Sequence, residues 1–129
     1  MHIFLIRHGQ SIANTGENYP QRLPDHLVSL TEEGIQQARE NGEWLANYCK
    51  EKNIDLSNAR IWRSPYLRTR QTSEEFNKFL NIKDIREDIT LIEQQFGLLD
   101  SVPDEEWAVQ FPIENAEYER QVSNYGKFY

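Results

Sequence analysis

The chain has 129 residues, 38% of them hydrophobic, and its 14 basic and 21 acidic side chains give a formal net charge of -7. That size suits one hydrophobic core rather than two, so residues 1–129 are expected to form a single domain. The negative charge opposes non-specific attraction to nucleic acid or anionic lipid, and the single Cys49 leaves neither an internal disulfide nor a zinc-like Cys/His spacing.

Ile3-Phe4-Leu5-Ile6 is a short apolar run, the pattern of a strand covered on both faces. It is too short for a signal-peptide core or a membrane span, so a soluble cytoplasmic protein is the expectation. Arg7-His8-Gly9-Gln10-Ser11 follows at its carboxyl end. Thr15 to Ser29 is rich in Gly, Asn, Asp and Pro without periodicity and reads as a long loop, a kind of segment that often carries function.

Thr31 is placed to cap a helix whose first turn holds Glu32 and Glu33, and Ile35, Ala38, Gly42, Leu45 and Cys49 then form one apolar stripe. Ala59 to Trp62 reads as a strand. Ser64-Pro65 reads as a cap with proline at the first helical position, leaving Leu67, Phe76, Phe79 and Leu80 to face the core. Ile85 to Ile92 is strand-like, Phe96-Gly97 is a turn, and a short helix from Asp104 to Phe111 is expected to stop at Pro112, with helix again in the stretch from Ile113. Strand, helix, strand, helix, strand is the order of a doubly wound α/β sheet, whose ligands gather beyond the carboxyl ends of the strands. Arg7-His8, Ser64 to Arg68 and Glu93 all fall at such positions.

A histidine after a buried strand is more often structural than catalytic, but the neighbours of His8 shift that balance. Arg7 offers a planar fork suited to two oxygens of a phosphoryl group, and Gly9 allows close approach of the backbone. Ser11 and Asn14 add short donors, so this one stretch provides a nucleophile, a cation and neutral donors for a phosphate. Arg68, in the first turn after Ser64-Pro65, could share that ligand with Arg7. An Arg-rich helix start is by itself more often a solvated surface, the reading given to Arg60, Arg63 and Arg70. Glu93, between a strand and Gly97, is the candidate general acid.

Leu5 to Asn14 resembles the Arg-His-Gly signature of the histidine phosphatase superfamily, which includes phosphoglycerate mutases, bisphosphatases and acid phosphatases. Leu30-Thr31-Glu32-Glu33-Gly34-Ile35-Gln36-Gln37-Ala38 is similar to the family's first helix start. Ser64-Pro65 with Arg68, Gln71 and Thr72 is similar to its second Arg motif, and Ile92 to Gly97 to its acid-bearing loop. Four ordered motifs are far more specific than one tripeptide.

The resemblance implies a three-layer α/β/α sandwich with a mostly parallel sheet. It also implies covalent catalysis without metal or cofactor: His8 attacks phosphorus, Arg7 and Arg68 neutralise the non-bridging oxygens, Glu93 protonates the leaving oxygen, and water cleaves the phosphohistidine. The family places a second pocket His late in the chain, and neither His2 nor His26 has that context, so the sequence reads as truncated before it. The expected activity is phosphomonoester hydrolysis on a small phosphorylated substrate. The alternatives are phosphoglycerate-mutase-type transfer and a catalytically weak phosphate-binding or interaction module. An uncovered sheet edge would favour a homodimer.

Overall fold

The computed structural model describes residues 1–16 and 23–126. They divide into two compact units, Met1–Ile92 and Glu93–Tyr129.

The first unit is built on two long helices and a parallel strand pair. Helix α1, Glu32–Glu51, starts where the sequence places it: the Thr31 hydroxyl accepts the Gly34 N–H at 3.0 Å, and Glu32 and Glu33 complement the positive end of the helix. Its buried residues are Gly34, Ala38, Gly42, Leu45 and Cys49, the expected stripe with Gly34 in place of the half-buried Ile35. Burial pushes the Cys49 thiol above its ordinary value, which suits a core residue rather than a nucleophile.

Helix α2, Leu67–Leu80, lies against α1 so closely that a Cβ at Gly42 would stand 2.5 Å from the Phe76 carbonyl oxygen. Its buried residues are Arg68, Thr72, Ser73 and Phe76. Asn81, left-handed at φ 55°, ends the helix, a conformation asparagine tolerates better than most residues. The Asn77 amide then brackets Ile82 with two hydrogen bonds of 2.8 and 2.9 Å and turns the chain towards the second strand.

Strands β1, Arg60–Arg63, and β2, Asp84–Glu87, pair in parallel with Arg60 opposite Asp84 and Arg63 opposite Glu87. The α/β class with a parallel sheet is thus observed, and both ends of the register carry ion pairs, Arg60 to Asp84 at 2.6 Å and Arg63 to Glu87 at 2.8 Å. These arginines, and Arg70, are therefore sheet and helix ties, and Arg63 is half-buried rather than solvated.

Glu87 also accepts from Arg70 at 2.7 Å, and this hydrogen bond leads the effects that hold its carboxyl below the ordinary glutamate value. A depressed folded value means that this network stabilises the fold fully above the unfolded glutamate value of about 4.3 and loses its effect as the pH falls below it. The variant Glu87→Gln is therefore expected to lower the thermal midpoint at neutral pH and to flatten the further decline in acid. Melting curves followed by circular dichroism across that range provide the check.

Three expectations are corrected. Residues 3–6 form no strand: Ile3 is 73% and Leu5 95% exposed, whereas Phe4 and Ile6 are about 38 and 39% exposed and Phe4 meets Tyr48 edge-on at 6.1 Å. Four apolar residues make a strand only where a neighbour supplies a ladder, and that neighbour is a long-range feature. Helix α2 begins at Leu67 rather than Pro65. The Ser64 hydroxyl accepts the Tyr66 N–H at 3.3 Å, and Thr69 Oγ1 donates to the Ser64 and Tyr66 carbonyls, forming a turn before the helix. Of its expected core residues Phe76 is buried, Leu67 and Leu80 are half-buried and Phe79 is exposed. The strand expected from Ile85 to Ile92 covers only Asp84–Glu87; Asp88 then caps a 3₁₀ turn, Ile89–Leu91, by accepting the Thr90 N–H at 2.9 Å.

The second unit holds helix α3, Trp107–Gln110, and helix α4, Pro112–Tyr125. Pro112 opens α4 as well as closing the helix before it, because the first turn of a helix needs no N–H from its leading residue. Phe96, Trp107 and Tyr118 form an aromatic triangle with centroids 5.2 to 5.8 Å apart, and Leu99 and Trp107 are buried. Of the long loop, residues 17–22 lie outside the described residues, as do residues 127–129 at the end of the stretch from Ile113. No helix among the described residues is long and apolar enough to cross a membrane.

Candidate active site

The segment Arg7 to Asn14 is held on the start of α1 by backbone contacts. Thr31 N donates to the Gln10 carbonyl at 3.0 Å, Ile12 N donates to the Ser29 carbonyl at 3.0 Å, and Ser11 forms an antiparallel bridge with Leu30. Between these ties two glycines touch. A Cβ at Gly34 would run into the Gln10 carbonyl, and one at Gly9 would stand 2.9 Å from the Gly34 Cα and nearer still to its oxygen. The close approach expected of Gly9 is therefore made to α1.

This clamp presents a hollow of about 350 Å³ lined by Arg7, His8, Gly9, Gln10, Asn14 and Gln37. His8 is half-buried, and its Nδ1 lies 2.8 Å from the Gly9 carbonyl oxygen. A carbonyl can only accept, so this contact is a hydrogen bond when Nδ1 carries the proton, and in the neutral ring that tautomer leaves the lone pair on Nε2. Arg7 is exposed and forms no ion pair with a described residue.

Asn14 Oδ1 accepts both the Ser11 N–H at 3.0 Å and the Ser11 hydroxyl at 2.8 Å. The amide NH₂ is then the donor Asn14 can offer to a ligand. Ser11 itself is 2% exposed and does not line the hollow. The sequence expectation that its hydroxyl faces a phosphate gives way to a structural role, because a buried hydroxyl with a partner three residues away satisfies itself locally.

Arg68 also stands apart from the lining residues. Its guanidinium grips Asp25 with bonds of 2.7 and 3.2 Å to the carboxylate and 2.9 Å to the carbonyl, and it lies 4.9 Å from the centre of the Tyr66 ring. The residue is 6% exposed, so an ionic partner is obligatory, and Asp25 supplies it. The backbone of Arg68 nevertheless reaches the site through Thr72, whose hydroxyl donates to the Arg68 carbonyl at 2.8 Å and accepts the Gly9 N–H at 3.2 Å.

Glu93 belongs to the second unit, where it is exposed and its Oε1 accepts the Gln94 N–H at 3.2 Å. His26 lies obliquely against Tyr66 at 6.5 Å. Sequence reasoning gave no role to three residues that build this site: Gln10, Gln37 and Thr72. Gln37 could have been found from its spacing, since it follows Gly34 by one helical turn and so shares the face that meets residues 9 and 10. Among the described residues no group of His, Cys, Asp and Glu could hold a metal ion. A larger hollow, of about 600 Å³, lies at the opposite, amino-terminal ends of β1 and β2 and contains none of the candidate residues.

Arg7, His8 and Gly9 line one hollow with Asn14 and Gln37, and the sequence matches the family model of the histidine phosphatase superfamily, branch 1, over residues 3–127. The chain belongs to the histidine phosphatase superfamily. Among other histidine phosphatase relatives, it is 37% identical over 103 residues to the phosphoglycerate mutase-like protein AT74H of Arabidopsis thaliana, covering 74% of this chain and 36% of that one. It is 39% identical over 83 residues to phosphoglycerate mutase 2 of Saccharomyces cerevisiae, covering 64% of this chain and 25% of the relative. The chain thus spans about a third or less of the length of these curated relatives. A solved structure of the putative phosphohistidine phosphatase SixA from Agrobacterium tumefaciens aligns with a TM-score of 0.46 at 23% identity, covering 65% of this chain and 47% of that one.

Proposed function

We propose that the chain hydrolyses phosphomonoesters through a phosphohistidine at His8. The observation that carries this reading is that His8 lines a hollow with Arg7 and Asn14 while its Nδ1 lies 2.8 Å from the Gly9 carbonyl oxygen, a contact that favours the neutral tautomer with Nε2 free to attack. Nε2 attacks phosphorus, the N–P bond forms as the ester P–O bond breaks, and the departing oxygen takes a proton from Glu93. Water then attacks the phosphohistidine while the Glu93 carboxylate accepts its proton, the N–P bond breaks, and inorganic phosphate leaves with His8 regenerated. Arg7 and the Asn14 NH₂ stabilise the non-bridging oxygens in both steps. The role of Glu93 rests on the likeness of residues 92–97 to the family's acid-bearing loop. The family match across both units supports treating residues 1–129 as one working domain.

In this reading Arg68 joins the phosphate by exchanging one anionic fork for another, the Asp25 carboxylate for two phosphoryl oxygens. Asp25→Asn is expected to bind inorganic phosphate about five-fold more tightly, the equivalent of roughly 1 kcal/mol. The same variant is expected to lose about 1 to 3 kcal/mol of stability, because it leaves a buried guanidinium poorly paired. Competitive inhibition by phosphate and urea denaturation measure the two effects, and an unchanged phosphate affinity would remove Arg68 from the site.

The likeness to phosphoglycerate mutase 2 of Saccharomyces cerevisiae and to a phosphoglycerate mutase-like protein of Arabidopsis thaliana favours phosphoglycerate mutation as a second reading. An assay with p-nitrophenyl phosphate beside one with 3-phosphoglycerate distinguishes the two. Hydrolysis of the generic ester without interconversion of phosphoglycerates is expected. Interconversion without net release of phosphate would make the chain a mutase, and inactivity in both would leave a phosphate-binding module.

A further inference from the structure

Gln37 sits in the lining of the hollow with no part in the chemistry above, yet its hydrogen bonds lead directly to His8. Its Oε1 accepts the Gln10 N–H at 2.9 Å. That N–H and the Gly9 carbonyl belong to one planar peptide group, so fixing one end of the group fixes the other. The Gly9 carbonyl is the acceptor for His8 Nδ1 at 2.8 Å. On its other side Gln37 Nε2 donates to Glu33 Oε1 at 3.3 Å, one helical turn earlier. The series runs from a carboxylate through a side-chain amide and a backbone amide to the imidazole, with every donor oriented the same way, an arrangement in which successive hydrogen bonds polarise one another.

We propose that Gln37 is a positioning residue for phosphoryl transfer to His8. It holds the peptide between residues 9 and 10 so that its carbonyl retains the Nδ1 proton and the Nε2 lone pair faces the hollow. A free neutral imidazole prefers its proton on Nε2, where it would block attack, so the protein must impose the other tautomer. The rigid start of α1 supplies the leverage, since Gly34 packs against Gln10 and Thr31 N ties the Gln10 carbonyl at 3.0 Å. The proposal rests on His8 being the nucleophile in the reading above.

The test reads the tautomer directly. In the isotopically labelled 129-residue chain, with imidazole neutral, a long-range proton–nitrogen correlation spectrum reports which ring nitrogen of each histidine carries the proton, and His8→Asn assigns the His8 signals. The wild-type chain is expected to show His8 protonated on Nδ1. Gln37→Leu, which has no acceptor, is expected to move the proton wholly or partly to Nε2 and to slow phosphorylation by phosphoramidate about 10- to 100-fold, by analogy with removing the hydrogen-bond partner that orients a metal-ligating histidine. Phosphate affinity is expected to change far less. The double variant Glu33→Gln with Gln37→Glu keeps an acceptor without juxtaposing two carboxylates, and is expected to retain the Nδ1 proton.

An unchanged tautomer in Gln37→Leu overturns the proposal, as does an Nε2-protonated His8 in the wild type. Should Gln37→Leu fail to fold, the double variant decides: Nδ1 protonation supports the proposal and its loss overturns it. A tautomer that responds to Gln37 in a chain that no donor phosphorylates would instead remove the hydrolase reading while leaving the hold of Gln37 on the ring in place.

Discussion

His8→Asn is expected to lower phosphoester hydrolysis at least about 10³-fold while leaving the fold intact, because an amide can fill the space of the ring but cannot attack phosphorus. The structural effect is small. His8 is half-buried and contributes one local hydrogen bond to the Gly9 carbonyl, so the thermal midpoint is expected to fall by no more than about 5 °C. Arg7 and Asn14 still line the hollow in the variant, and inorganic phosphate is expected to bind within about ten-fold of its wild-type affinity, the worth of one modest contact. Steady-state kinetics, a melting curve and a phosphate titration on the same preparation separate the three effects. Residual activity near the wild-type level would assign the chemistry to another residue.

Gly34→Ala is expected to have the largest effect on stability of any single methyl addition in α1. The new Cβ would be driven into the Gln10 carbonyl and would stand 2.9 Å from the Gln10 nitrogen and carbonyl carbon. All three obstacles are backbone, and the Gln10 oxygen is already anchored by Thr31 N, so no side chain can turn aside. Overpacking of this kind costs about 2 to 3 kcal/mol, against which the better helix propensity of alanine returns at most about 1 kcal/mol. The strain falls on the peptide that orients His8, so turnover is expected to drop along with stability. Gln36→Ala, on an exposed position of the same helix, is the control and is expected to stay within about 0.5 kcal/mol of the wild type. Chemical denaturation gives both values, and a Gly34→Ala chain as stable as the control would show that α1 does not grip residues 9 and 10 as described.

What the sequence makes legible is governed by range. The start of α1 is decided by four neighbouring residues, Thr31 to Gly34, and its stripe by a helical period, so both are found where expected. The Arg7-His8 pair is likewise local, and its meeting with Asn14 follows from a single 3₁₀ turn, Ile12–Asn14. Residues 3–6 fail for the opposite reason: their composition suits a strand, but composition does not supply the pairing partner. The ion pair of Arg68 is not legible locally, because its partner, Asp25, lies 43 positions away in a loop without periodicity. Gln37 lies within the family-like stretch Leu30 to Ala38, but only the packing of Gly34 on Gln10 reveals that its amide reaches the site. The Phe96, Trp107 and Tyr118 triangle is similarly invisible locally, because its members come from three different segments.

The central claim is that Nε2 of His8 becomes covalently attached to phosphorus, and rapid-quench trapping with a radiolabelled phosphomonoester tests it most directly. Mapping of the alkali-quenched peptides is expected to place the label on His8, with the bond surviving base and lost in acid as a phosphoramidate is. Phosphate release from the wild-type chain with the label on a different residue, or with none trapped at any quench time, would contradict the account.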